Sequence, residues 1–212
     1  VAGQDNSMML NTYVDDKDNN NANSKSGWNM YSRNNNGTRI VRLGTGYVDT
    51  NSNNKNGLWE SAFNYSALGE WMHYAIVYSD KGLDGNASQR SKLYKNGVYT
   101  GSGFGIGETY RVYNSVDADL FQVPMTAFVR KKKDGSSIES MDGYIRKIRI
   151  WKTAKDASYI LDSKNGTVTL DPEDPNLVCG WDFEKESYDN EILDITGRHT
   201  AKLVGQYKWE NR

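Results

Sequence analysis

The sequence predicts an all-β fold, a two-sheet antiparallel sandwich with one short helix. Three observations lead there. Short runs rich in aromatic and β-branched residues recur along the 212 residues, separated by clusters of Asn, Ser, Gly and Asp. The pair Asn96-Gly97 lies between two such runs, and both residue types tolerate the positive φ angles of a type I′ hairpin turn. Pro124, Pro172 and Pro175 all fall between runs, as expected where central strands keep their ladder donors.

The elements follow in order. Residues 7–14, 28–33, 39–43 and 58–63 are strand-sized runs, and the polar stretches 15–26, 34–37 and 51–57 read as loops between them. Residues 71–78 form a continuous aromatic and aliphatic run, the pattern of a strand buried on both faces. Residues 92–95 and 98–100 are the two arms of the Asn96-Gly97 hairpin. Gly101, Gly103, Gly105 and Gly107 then alternate with other residues, which suggests a loop or a strand with one bare face. With that spacing and no helix behind it, the stretch is not a phosphate-binding fingerprint. A second hairpin is expected over 126–141, turning at Asp134-Gly135, followed by a strand over 144–151 with a bulge or two-sided burial. The helix is expected at 153–161, entered through Thr153, and closing strands at 177–183 and 201–209. No composition break marks a linker, so residues 1–212 are predicted to form a single domain.

Composition narrows the function. Lys and Arg number 26 against 27 Asp and Glu, a balance that gives no field to hold a polyanion, so nucleic acid is not expected as a partner. Cys179 is the single cysteine and His73 and His199 the only histidines, too few for an internal disulfide or a Cys/His zinc site. No window approaches the roughly 18 apolar residues of a membrane span, so direct membrane insertion is not expected either. The chain carries 14 Tyr and 6 Trp, rings that suit both a sandwich core and a sugar platform.

Three segments carry a family resemblance. Glu70-Trp71-Met72-His73-Tyr74-Ala75-Ile76-Val77-Tyr78 followed by Lys92-Leu93-Tyr94-Lys95-Asn96-Gly97 is similar to a Trp-x-His strand and Leu-Tyr-x-Asn-Gly hairpin. Gly143-Tyr144-Ile145-Arg146-Lys147-Ile148-Arg149-Ile150-Trp151 is similar to a closing Gly-x-Ile strand, and Leu177-Val178-Cys179-Gly180-Trp181-Asp182-Phe183 with Asp194-Ile195-Thr196-Gly197 to a Trp-x-Phe unit. Together they resemble the laminin-G-like, concanavalin A-like lectin/glucanase superfamily, in its pentraxin-like bacterial branch. The third unit usually opens that fold and here comes last, so the chain is either permuted or cut from a longer protein. The resemblance implies a jelly-roll sandwich with Trp71, Trp151 and Trp181 in the core and His73 as a hydrogen-bonded core residue. It also implies a domain of an exported, cell-surface bacterial protein with oligosaccharide or polysaccharide as partner, alongside other domains of a longer chain.

Within that frame a non-catalytic carbohydrate-binding role is expected. The superfamily's hydrolases need two carboxylates roughly 5 to 9 Å apart, and their Glu-x-Asp-x-x-Glu strand is missing; the nearest pair, Glu184 and Glu186, follows Phe183 in a charged loop. Sugar rings stack on exposed aromatics, with Asn, Asp and Arg bonding hydroxyls, and Trp28, Tyr31, Arg33, Trp59, Tyr110 and Tyr113 lie near polar loops outside the core motifs. The alternative is a protein-interaction or adhesion module using the same aromatics, and third a hydrolase with unrecognised carboxylates. Calcium is the one cofactor the resemblance implies, with Asp16, Asp18 and Asn20 as candidate ligands by their alternate spacing. Asp80, Asp84 and Asn86 form a second acidic loop that reads as a solvated turn, and the basic run 130–133 as a solvated hairpin tip.

Overall fold

The structure, a computed structural model, describes residues 6–12, 14–15, 25–26, 28–35, 38–49, 56–64, 69–79, 81–104, 110–112, 124–132, 134–184 and 190–209. The chain divides into two compact units, Val1–Asp142 and Gly143–Arg212. Both are built from antiparallel strands, with one short helix in the second unit.

In the first unit the strands are β1 (Asn6–Asn11), β2 (Val14–Asp15), β3 (Lys25–Ser26), β4 (Trp28–Asn35), β5 (Thr38–Asp49), β6 (Asn56–Asn64), β7 (Tyr74–Tyr78), β8 (Gln89–Lys95), β9 (Val98–Phe104), β10 (Tyr110–Val112), β11 (Thr126–Ala127), β12 (Arg130–Lys131) and β13 (Ser137–Ile138). A six-stranded sheet runs β10-β5-β4-β1-β11, with β6 also on β5. β5 is its spine. Tyr47 and Val48 pair with both β6 and β10, so β10 must lie on the edge where β4 stops at Thr45. The 39–43 run therefore continues through Gly44 and Gly46 into a much longer strand than its apolar residues alone predict. In β1 the register shifts between Met8 and Leu10, leaving Met9 as a bulge whose carbonyl accepts from Phe128 N at 3.1 Å.

β7, β8 and β9 form a separate three-stranded sheet. Met30 of β4, Val41 of β5 and Leu93 of β8 make one buried cluster, with Met9, Leu10, Tyr74 and Ile76 packed against it. The two sheets thus share a core in sandwich-like fashion, although each is small and neither is closed. Burying side chains of this size contributes roughly 1.5–3 kcal/mol apiece.

The Asn96-Gly97 turn is present, with φ of 52° and 79° and pairs Lys95↔Val98 and Tyr94↔Tyr99. Asn96 also reaches back: its backbone N–H donates to the His73 carbonyl at 2.7 Å, and its Oδ1 accepts from His73 N at 3.0 Å. Those bonds consume the backbone groups of His73, so β7 starts at Tyr74 and the strand expected from Trp71 loses its first three residues. Trp71 is 46% exposed, which corrects its placement in the core. The run 126–133 is likewise split into β11 and β12, because Phe128 turns with φ of 63° to reach β1.

In the second unit β14 (Lys147–Trp151) pairs with β15 (Leu177–Asp182), joining the second and third sequence motifs, with a register shift at Ile150/Trp151. β16 (Glu191–Leu193) pairs with β17 (Thr200–Lys202). The expected closing strand over 201–209 is confined to β17, and β16 is an addition. Helix α1 spans Ala157–Asn165 rather than 153–161: Asp156 is its N-cap, accepting Tyr159 N at 2.8 Å, which leaves Thr153 outside. Ile148, Ile160, Leu177, Cys179 and Trp181 are buried.

Candidate functional site

The six-stranded sheet gathers most of the predicted sugar-binding residues and then separates them. Trp28, Tyr31 and Arg33 lie on β4, Trp59 on β6 and Tyr110 on β10. Side chains alternate along a strand, so Asn29, Tyr31 and Arg33 lie on one side of β4, and Trp28 lies on the other with the core residue Met30. In register, Trp28 and Trp59 both stand opposite Thr45, and Tyr110 stands opposite Asp49. Trp28 is therefore not on the same side of the sheet as Tyr31 and Arg33. Tyr31 is 4% exposed; its ring has no open face for a sugar, which corrects its candidacy as a platform. Arg33 is exposed. Tyr113, Asp16, Asp18 and Asn20 lie outside the described residues, and among the described residues no three His, Cys, Asp or Glu come together as a metal site.

The side of β4 that carries Tyr31 and Arg33 is polar even where it is closed. Asn29, opposite Gly44 and Asn11, is 3% exposed, and among the described residues its Oδ1 has no hydrogen-bond partner. An unpaired buried carboxamide costs about 1–3 kcal/mol.

An open aromatic site occurs on the three-stranded sheet instead. Tyr99 is 47% exposed, and its ring stands edge-on against that of its cross-strand partner Tyr94, centroids 5.8 Å apart. Gln89 Nε2 donates to Tyr99 Oη at 3.4 Å. Lys92, two residues before Tyr94 and so on the same side of β8, donates to the carboxylate of Asp84. That hydrogen bond raises the lysine above its ordinary range; desolvation opposes it, and the charges of Asp84, Tyr94 and Tyr99 reinforce it. Ring, amide, ammonium and carboxylate therefore share one small surface.

The loop that presents Asp84 is tied to itself. Leu83 N donates to Gln89 O at 2.8 Å, Asn86 N to Leu83 O at 2.9 Å, Gln89 N to Asn86 O at 3.0 Å, and Leu83 is buried beneath it. Gly82 has φ of 95°, and a Cβ there would stand 2.3 Å from the Asn86 carbonyl, so only glycine fits. In the sequence Asp84 reads as part of a solvated turn, and Tyr99 carries no signal that sets it apart from other strand aromatics. The hairpin signal does carry the Tyr94↔Tyr99 pairing, since a two-residue turn at Asn96-Gly97 fixes it. What it does not carry is which of the two rings stays open.

The other conspicuous carboxylates are occupied. Glu184 is held below the usual range, first by its hydrogen bond from Lys147 and then, against desolvation, by Arg146. Burial alone would raise Asp194, but N–H groups of His199 and Gly180 and the Thr196 hydroxyl outweigh it and hold the carboxyl low. Comparison with protein-family models, with curated proteins and with solved structures gave no match.

Proposed function

We propose that this chain is a non-catalytic carbohydrate-binding domain of concanavalin A-like, jelly-roll architecture, carried on an exported protein at a bacterial cell surface. The observation that carries the reading is Tyr99: an exposed ring flanked by a hydrogen-bonded amide and an ammonium–carboxylate pair is the arrangement by which protein surfaces hold a sugar, apolar C–H face on the ring and hydroxyls on the polar groups. The shared core of the two sheets in the first unit supports the architecture. Glu184 is held low by Lys147 and Arg146, the opposite of what a general acid needs.

Binding to a broad glycan array, with and without calcium, tests it. The expected result is a saturable signal that Tyr99→Ala abolishes while the protein stays folded. A signal that depends on calcium would point to Asp16, Asp18 and Asn20. A protein-interaction module is the second reading, favoured by Leu193, Ile195, Val204 and Tyr207, all exposed around the β16–β17 pair. Silence across the array in both conditions would replace the first reading with the second.

A further inference from the structure

We infer that the surface formed by Tyr99, Gln89, Lys92 and Asp84 selects neutral pyranoses bearing a vicinal diol and discriminates against acidic sugars. The inference rests on the carbohydrate-binding reading and goes further by naming the ligand class. A sugar hydroxyl both donates and accepts, and the Lys92–Asp84 pair offers one strong donor beside one strong acceptor. Adjacent hydroxyls can therefore engage the ammonium and the carboxylate at once, while the ring lies on Tyr99 and Gln89 reaches its edge.

Charge decides against an anion. Lys92 and Asp84 neutralise each other, and Gln89, Tyr94 and Tyr99 add no formal charge. The two ions are not equally open: the Asp84 side chain is 68% exposed and that of Lys92 only 19%. A uronate, sulfate or sialate arriving from solvent thus meets the carboxylate first, and the ammonium of Lys92 already lies against it. Like charges brought together in this way weaken binding, and salt screens the effect only in part at contact distance.

The test compares neutral hexose disaccharides with hexuronic acid-containing and sulfated disaccharides by calorimetry on the whole chain at physiological salt. Wild type is expected to bind a neutral probe and to bind acidic counterparts at least ten-fold more weakly. Asp84→Asn, on an exposed side chain, should fold normally, lose about ten-fold in affinity for the neutral probe and narrow the gap to the acidic ones. Lys92→Gln should weaken neutral binding similarly without admitting acidic sugars. Neutral binding unchanged in both variants, or a wild-type preference for acidic sugars, overturns this inference and leaves the carbohydrate reading standing. A wild type that binds no glycan on the array overturns both.

Discussion

Two carboxylates, one in each unit, show how the same functional group is used in opposite ways. Asp194 is 3% exposed and takes hydrogen bonds from Gly180 N at 3.2 Å, Thr196 Oγ1 at 2.7 Å, Arg198 N at 3.0 Å and His199 N at 2.9 Å. Asp84 is open to solvent and its side chain pairs with the Lys92 ammonium. The first has its acceptor capacity filled by its own chain and pins β15 to the turn after β16. The second stands exposed on a loop closed by its own backbone hydrogen bonds. Full internal satisfaction marks structure, and spare capacity on a fixed scaffold marks a surface that can take a ligand.

Removing Asp194 gives the largest expected effect. Asp194→Ala leaves several donors in a closed environment without their acceptor and should destabilise the second unit by about 3 kcal/mol or more, read as a lower urea midpoint by fluorescence of the buried Trp181. The pH dependence has a definite sign. A carboxyl held low in the folded state contributes stability above the unfolded aspartate range, about pH 4, and that contribution is lost as pH falls through the folded value. The acid limb of the unfolding curve should therefore flatten in Asp194→Ala.

A smaller effect of opposite sign belongs to Cys179. Burial pushes its thiol up to about 11, the nearby Asp194 charge adds to the rise, and Arg198 opposes it. The unfolded chain releases that proton near pH 8.5, so the contribution to stability is full below that point and declines as pH climbs toward about 11. At pH 8 the thiol should resist a disulfide reagent in the native protein and react fully in denaturant; rapid native reaction would contradict its burial.

The comparison also shows which features the sequence makes legible. The Asp-x-Thr-Gly segment that organises Asp194 is local, its acceptor and three of its donors lying within six residues, and it stands out in the chain as written. So does the Asn96-Gly97 hairpin. β5 is less legible, since Gly44 and Gly46 interrupt its apolar pattern while the ladder to β4 and β6 carries it onward. Trp71 is less legible still, since a ring in an apolar run reads as core; the long-range bonds between Asn96 and His73 start the strand after it and leave it exposed. The Tyr99 surface needed the fold, because its members come from a loop and two strands and differ from core residues only in what covers them.

The most direct test of this contrast places Tyr99→Ala beside Asp194→Ala and measures both urea stability and binding to the best glycan on the array. Tyr99→Ala should lose binding while shifting stability by less than about 1 kcal/mol, and Asp194→Ala should lose stability while the first unit still binds. If Tyr99→Ala binds as wild type does, or if its main effect is to unfold the protein, the open ring is part of the scaffold and the central claim fails.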